Sequence, residues 1–206
     1  MLSLAVTLLP IYGTDKKVSA VVHTLPNPIK NSNGDTIWDC VWFGSYPQAE
    51  VIPSGTYTAL DSSLLQDGDV IESDSIYNEL QNATGWDKNG DIVLNGEKYR
   101  RILKSDATYS TSSISYYNWS DSESYHYFKY EPIKWRVLNV NDNDAFLLAD
   151  RGSDNQKYNE SNTFPWEKSD IRSWLNGYDT GYDSKNFIET AFSDSERADI
   201  LASEVE

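Results

Sequence analysis

The chain has 206 residues, of which 39% are hydrophobic and 13% aromatic, enough to build one sizeable core or two small ones. Its 32 acidic and 17 basic side chains give a net charge of −15, so nucleic acid and anionic lipid are repelled from most of its surface. These figures exclude a nucleic-acid-binding protein. The single cysteine, Cys40, also excludes a disulfide within the chain and a cysteine-based metal cluster.

Residues 1–20 have the outline of a secretory leader. Leu2–Tyr12 is almost wholly apolar but shorter than the roughly 20 residues that span a bilayer, and Val18-Ser19-Ala20 has the small side chains of a cleavage site. No basic stretch precedes the apolar run, so either the start lies further upstream or Leu2–Leu9 is a strand. We favour a leader with the mature chain starting near Val21, and predict an extracellular or cell-surface protein without a membrane span in the mature chain.

The next segment contains turns and a first strand. Residues 21–36 contain prolines, asparagines and an Asn33-Gly34 turn, and we predict a linker there. The linker enters a predicted strand, Thr36–Tyr46. After Pro47 the sequence becomes mixed and polar, with a short helix predicted over Ser75–Gln81.

A β-hairpin is the strongest local pattern in the sequence. Asp91–Leu94 and Glu97–Leu103 favour strands, and Asn95-Gly96 between them tolerates the positive φ angles of a type I′ turn. Ser105–Ser124 has no apolar period and is predicted to be a long surface segment. Two further strands are then predicted, over Tyr127–Asn139 and Ala145–Ala149.

The last part of the chain changes to helical periodicity. Ile171, Trp174 and Leu175 have the spacing of one helix face, with Ser169 as the N-cap and Gly177 as the stop signal. Two more helices are predicted after it.

The first of these two helices repeats that apolar spacing over residues 187–192. The second opens with a capping box from Ser193 to Glu196 and is predicted to carry Ala198, Ile200 and Leu201. Strands followed by helices are typical of α+β proteins. We therefore predict that residues 37–206 belong to one α+β domain with antiparallel sheets and short helices.

The sequence lacks the common motifs of catalysis and metal binding. Its histidines are His23 and His126, and no Gly-x-Ser-x-Gly accompanies them, so a Ser-His-Asp triad is not predicted. Asp87–Asp91 resembles the opening of a calcium loop, but Ile92 stands at the glycine position and Lys98 at the glutamate position. We interpret this segment as an acidic turn and predict no catalytic residue, metal or cofactor.

The candidate ligand-binding residues are aromatic: Tyr116, Tyr117, Trp119 and Tyr125. They lie in a polar segment, where exposed rings can stack on the apolar faces of sugars while nearby Asn and Asp groups hydrogen-bond the hydroxyls. Packing of these rings onto the domain is the alternative interpretation. Both interpretations stay open.

Four runs of sequence together resemble an uncharacterised domain family, namely Phe43–Gln48 (FGSYPQ), Glu131–Leu138 (EPIKWRVL), Ile171–Gly177 (IRSWLNG) and Ala191–Glu196 (AFSDSE). That family occurs in secreted and cell-surface proteins of gut-type Gram-positive bacteria and carries no assigned activity. The resemblance extends from about Trp38 to Leu201. It implies export and a cell-surface location.

At the level of fold, the family is similar to the C-type-lectin-like fold of formylglycine-generating enzymes, the sulfatase-modifying factors. The catalytic cysteines of those enzymes have no counterpart here, because Cys40 is alone and lies in the first predicted strand. Members of the resembled family continue past the position of Glu206 with a segment rich in Trp and Arg. The resemblance thus implies that residues 37–206 are the N-terminal part of a longer domain.

Three functions follow from the sequence. The first is a non-catalytic extracellular or cell-surface module that binds a glycan or another surface ligand. The second is an enzyme or enzyme remnant related to formylglycine-generating enzymes, with its active site in further C-terminal sequence. The third is a structural spacer in a surface protein.

Overall fold

The computed structural model describes residues 3–7, 25–56, 70–103, 123–141, 144–154, 156–159, 165–178 and 186–202, with the backbone alone for residues 3–7. The described chain is a mixed α+β structure, mostly sheet with a few short helices, which confirms the predicted class. It divides into two compact units. The first unit comprises Met1–Gly44, Pro132–Gly152 and Phe192–Glu206, and the second comprises Ser45–Glu131 and Ser153–Ala191.

The strands are β1 (Ser3–Thr7), β2 (Ile29–Lys30), β3 (Thr36–Ile37), β4 (Cys40–Ile52), β5 (Val70–Glu72), β6 (Asp91–Leu94), β7 (Glu97–Leu103), β8 (Tyr125–Asn141), β9 (Asp144–Ala149) and β10 (Ile200–Leu201). The helices are α1 (Asp74–Asn82), α2 (Asp170–Asn176), α3 (Phe187–Ala191) and α4 (Asp194–Ala198), and a 3₁₀ turn covers Trp166–Lys168. The long strands β4 and β8 contribute residues to both units.

The first unit has the strand order β10-β1-β9-β8-β4. Its buried side chains include Trp135, which is 0% exposed, together with Val137 and Leu147. The indole nitrogen of Trp135 donates a hydrogen bond to the carbonyl oxygen of Phe43 at 2.8 Å, and its ring stacks on Phe192 at 6.3 Å between centroids. These residues form one face of the sheet and pack away from water.

The backbone of residues 3–7 forms strand β1, which pairs antiparallel with β9 and β10. One of the two alternatives that the sequence left open for this stretch was a strand. The described backbone is a strand, and removal of residues 1–20 on export stays a prediction. Residues 8–24, which contain the predicted cleavage site, lie outside the described residues.

The second unit has the strand order β5-β4-β8-β7-β6. One side of this sheet packs on α1 through a cluster of buried side chains made of Val51, Leu80, Tyr99 and Tyr127. Successive side chains of a strand point to opposite faces, so Glu50, Arg100 and His126 belong to the other side. On that side the ring of Phe187 in α3 contacts Tyr46 at 5.3 Å and Trp174 of α2 at 5.7 Å between centroids.

The predicted β-hairpin is confirmed as β6 and β7. Its turn residues Asn95 and Gly96 have φ angles of 54° and 85°, the left-handed geometry that Asn-Gly was expected to supply. The predicted helix near Ser75 is also confirmed as α1, with the Ser73 side chain accepting a hydrogen bond from the Ile76 amide at 3.3 Å.

Two of the three C-terminal helices, α2 and α4, begin where the sequence placed their caps. Ser169 caps α2, and Gly177 ends it with a φ of 67°, where an added Cβ would lie 3.3 Å from Ile188. Ser193 and Glu196 form the predicted capping box of α4. The prediction that this helix carries Ile200 and Leu201 was wrong, because these two residues pair with β1 as strand β10.

Strand β4 differs from the prediction at both ends. The expected strand over Thr36–Tyr46 is divided between β3 and β4, and β4 continues through Pro47 to Ile52. Proline is compatible with an extended backbone, and β5 pairs only with residues 50–52, so no ladder bond to β5 is needed at Pro47. The β4–β5 pair is parallel, whereas antiparallel sheets were expected, and the sequence separation between Ile52 and Val70 is long enough for the crossover that parallel strands require.

Candidate ligand-binding surface

Of the four aromatic residues predicted to bind a ligand, the structure describes one, Tyr125. Tyr116, Tyr117 and Trp119 lie outside the described residues. Tyr125 begins β8 and is half-buried against the α1 side of the second unit. The guanidinium of Arg101 lies 4.5 Å from the centroid of its ring, so one ring face of Tyr125 is already in contact with the protein.

The histidine considered for a catalytic triad is deeply buried. His126 Nδ1 lies 2.5 Å from Glu50 Oε1, and both side chains are 0% exposed. They come from the neighbouring strands β8 and β4 of the second unit. A substrate in solution has no access to side chains at this position, so the pair is part of the interior of the sheet.

A second buried polar group links the hairpin to α3. Arg100 binds Asp91 through two hydrogen bonds, from Nε at 2.7 Å and from Nη2 at 3.0 Å, and its Nη1 reaches Thr190 at 3.3 Å. The hydroxyl of Tyr130 donates to the same carboxylate at 2.9 Å, and Lys98 Nζ lies 3.1 Å from it. We call these five residues the Asp91 network. A two-pronged Arg–carboxylate pair is strong and directional, so Asp91 orients the Arg100 side chain, whose hydrogen bond to Thr190 connects the hairpin to α3.

The Asp91 network sets the ionisation of its members. Burial favours the neutral form of Asp91, but the hydrogen bonds and charge of Arg100, aided by Lys98 and Tyr130, outweigh it and hold the pKa of Asp91 below its usual value. Burial raises the pKa of Tyr130 strongly, and the neighbouring Asp91 adds to the rise against the opposing charge of Arg100. At neutral pH the network therefore consists of an ionised Asp91, a neutral tyrosine and two cations.

The lowered pKa of Asp91 predicts acid sensitivity. A carboxylate whose pKa is lower in the folded than in the unfolded state stabilises the fold at every pH above its unfolded-state pKa, about 3.9. This stabilisation is lost as the pH falls through the folded-state pKa. Urea unfolding between pH 2 and 6 should therefore show stability decreasing below about pH 4. The decrease should be shallower for Asp91→Asn. Parallel curves for the two proteins would contradict this assignment.

The acidic segment that resembles a calcium loop forms a turn. The Oδ1 atom of Asp87 accepts hydrogen bonds from the amides of Asn89 and Asp91, both at 2.8 Å, which confirms the predicted turn. Within the described part of the chain, no group of three or more His, Cys, Asp or Glu side chains has the arrangement of a metal site.

An exposed aromatic surface lies on the sheet of the first unit. The rings of Trp135 and Phe43 both contact Phe192 on one side of the sheet, so their chain neighbours Lys134, Arg136 and Trp42 belong to the opposite face. Trp42 is 64% exposed although it lies within strand β4. A tryptophan so exposed on a sheet leaves a large flat apolar area in contact with water.

Charged side chains lie on the same face of the sheet as Trp42. Arg136 Nε lies 2.5 Å from Asp150 Oδ1, and Lys134 Nζ lies 3.5 Å from Asp150 Oδ2. The guanidinium of Arg136 is 5.5 Å from the ring centroid of Trp38, which is 38% exposed. The hydrogen bond from Arg136 lowers the pKa of Asp150 against the opposing effect of burial. We call Trp38, Trp42, Lys134, Arg136 and Asp150 the tryptophan–arginine face.

The tryptophan–arginine face combines two kinds of contact that sugars use. Indole rings stack on the C–H faces of pyranose rings, and charged or polar groups beside them hydrogen-bond the hydroxyls. The ion pairs of Asp150 with Arg136 and Lys134 hold the polar groups in place before a ligand binds. The surface is therefore suited to binding: Trp42 lies in β4, Lys134 and Arg136 lie in β8, Trp38 lies between β3 and β4, and Asp150 follows β9.

The residues of the tryptophan–arginine face were not predicted as a site, although the sequence contains a signal for them. Ile133, Trp135 and Val137 alternate with Lys134 and Arg136, which indicates a strand with one buried and one solvated face. The missing information was that β4 pairs with β8, so that Trp42 joins the solvated face. Only the strand order supplies that neighbour.

Comparison of the chain with protein-family models, with curated proteins and with solved structures finds no match. Among the described helices, none is long and apolar enough to cross a membrane.

Proposed function

We propose that this chain is a non-catalytic extracellular or cell-surface module that binds glycans through the tryptophan–arginine face. The observation that carries the proposal is Trp42, a tryptophan that is 64% exposed on the same sheet face as the Arg136–Asp150 ion pair. Burying a large aromatic ring inside the domain would contribute to stability, whereas exposure on this face contributes nothing to folding. A binding role accounts for the exposed ring and for the fixed polar groups beside it.

The scaffold in this proposal is C-type-lectin-like, as implied by the family resemblance of the FGSYPQ, EPIKWRVL and IRSWLNG runs. The mixed α+β architecture, with short helices around mostly antiparallel strands, supports that assignment at a coarse level. Export to the cell surface follows from the same resemblance and from the leader-like residues 1–20. The aromatic segment of Tyr116, Tyr117, Trp119 and Tyr125 remains a second proposed contact region for the same ligand.

Retention on immobilised cell-wall and mucin glycans tests the proposal. The Trp42→Ala chain should lose retention, because it lacks the exposed stacking ring, while its melting temperature should stay close to that of the native chain. Trp166→Ala is the matched control, since Trp166 is a 40% exposed tryptophan in the second unit. This control should bind like the native chain.

Three outcomes would contradict the proposal or relocate the site. A native chain that no glycan retains would overturn glycan binding. A Trp42→Ala chain that binds normally would remove the tryptophan–arginine face from the site. A Trp119→Ala chain that alone loses binding, without a loss of stability, would place the site in the 116–125 segment instead.

A further inference from the structure

We propose that the glycan bound by the tryptophan–arginine face carries a carboxylate, and that Arg136 is the residue that recognises it. This inference rests on the proposed function and names the substrate class of the same surface. It depends on the hydrogen-bonding state of Arg136, on the charge balance around Asp150 and on the stacking of the guanidinium on Trp38.

The guanidinium of Arg136 has hydrogen-bond donors that a ligand can reach. Its Nε–H is directed at Asp150 Oδ1, 2.5 Å away, while its two terminal amino groups make no hydrogen bond to any residue in the described ranges. The Arg136 side chain is 40% exposed, so a ligand reaches it from water. Two terminal N–H groups in one plane match the two oxygens of a carboxylate.

The guanidinium is also held in a defined orientation. Its central carbon lies 5.5 Å from the ring centroid of Trp38, and Asp150 fixes it from the Nε side. Arginine loses less side-chain entropy on binding when its planar group is already oriented. A carboxylate that binds here therefore meets a preformed partner.

The charge balance favours an anionic group on the ligand. Lys134 and Arg136 both pair with Asp150, so this group of three side chains has one positive charge in excess. The chain as a whole carries −15, which repels a dense polyanion at distances up to the screening length, about 10 Å at 0.1 M salt. A glycan with isolated carboxylates is repelled less at long range than a dense polyanion. At short range each of its carboxylates meets the local positive charge.

Matched pairs of ligands test this inference by calorimetry on the intact 206-residue chain. The acidic probes carry spaced carboxylates: galactose and mannose oligosaccharides that each end in a single uronate, and the oligosaccharide of alternating glucuronate and N-acetylglucosamine. Each is compared with the same oligosaccharide after reduction of its carboxyl groups to alcohols. At least one acidic probe should bind about tenfold more tightly than its reduced form, the effect of one charged hydrogen-bonded pair.

Substitutions of Arg136 assign that preference to a residue. Arg136→Gln should bring the acidic and reduced probes to equal affinity, and Arg136→Lys should keep part of the preference through its charge alone. Arg172→Gln is the matched control, because Arg172 also lies over an exposed ring, 5.0 Å from the centroid of Tyr178 in the second unit. This control should leave the preference unchanged.

Equal affinities of the native chain for every acidic probe and its reduced form would overturn the inference. The proposed function would survive that result if Trp42→Ala still weakened binding of both forms. Preference for the acid that persists in Arg136→Gln would also overturn the role of Arg136. A Trp42→Ala chain that binds both probe forms like the native chain would instead contradict the proposed site itself.

Discussion

Replacement of Asp91 by alanine should lower the free energy of unfolding by about 3–5 kcal/mol, the cost of leaving a buried charge without its partner. Arg100 is 8% exposed and, among its partners in the described ranges, would keep the 3.3 Å hydrogen bond to Thr190. Tyr130 would lose its acceptor in the same change. Urea unfolding followed by circular dichroism measures the difference.

Two controls separate burial from charge pairing. Glu97→Ala removes an exposed carboxylate of the same hairpin, paired with Lys129 at 3.3 Å, and should cost no more than about 1 kcal/mol. The double variant Asp91→Leu with Arg100→Met should be more stable than Asp91→Ala, since it leaves no unpaired charge. A cost below about 1 kcal/mol for Asp91→Ala would show that Arg100 is solvated in the folded protein.

Replacement of Trp135 by alanine should lower the free energy of unfolding by about 3–5 kcal/mol, the range for a fully buried large aromatic side chain. The change removes the packing on Phe192 and the hydrogen bond to the Phe43 carbonyl oxygen. It therefore creates a cavity and also leaves a backbone acceptor without its donor. Urea unfolding of the variant beside the native chain gives the cost.

Trp135→Phe keeps most of the ring but not the N–H group, so it should cost clearly less than Trp135→Ala. Trp42→Ala is the surface control and should stay within about 0.5 kcal/mol of the native chain. A Trp135→Ala chain as stable as the Trp42→Ala chain would mean that the assignment of buried and exposed faces in the first unit is reversed.

Local patterns predicted the elements whose geometry depends on near neighbours. Asn95-Gly96 specified the hairpin turn because few other residues accept two positive φ angles in succession. Ser169 and Ser193 specified the starts of α2 and α4 because their side chains satisfy amides three residues ahead. Such information lies within a few residues and can be read without the fold.

Elements that depend on distant partners could not be predicted in the same way. Ile200 and Leu201 form a strand because β1, almost two hundred residues earlier, supplies their hydrogen-bond partners. The continuation of β4 past Pro47 depends similarly on its parallel pairing with β5. In both cases tertiary pairing overrides the local preference of the sequence.

In the candidate site, too, local patterns were predictable from the sequence and contacts between distant residues were not. The alternation around Lys134 and Arg136 identifies a solvated strand face from the sequence alone. The approach of Trp38 and Asp150 to Arg136 depends on how the strands and the β3–β4 connection are arranged, and no local pattern encodes it. The prediction from the sequence therefore fell on the aromatic rings of the polar 116–125 segment.

The most direct test of the tryptophan–arginine face uses the indole N–H signals of the seven tryptophans in nuclear magnetic resonance spectra. The intact chain is titrated with the acidic oligosaccharide that binds most tightly, and each signal is assigned by a single Trp→Phe substitution. We predict that the signals of Trp38 and Trp42 shift with the ligand while those of the buried Trp135 and Trp174 do not. Shifts confined to Trp86, Trp119 or Trp166, with Trp38 and Trp42 unchanged, would contradict the account.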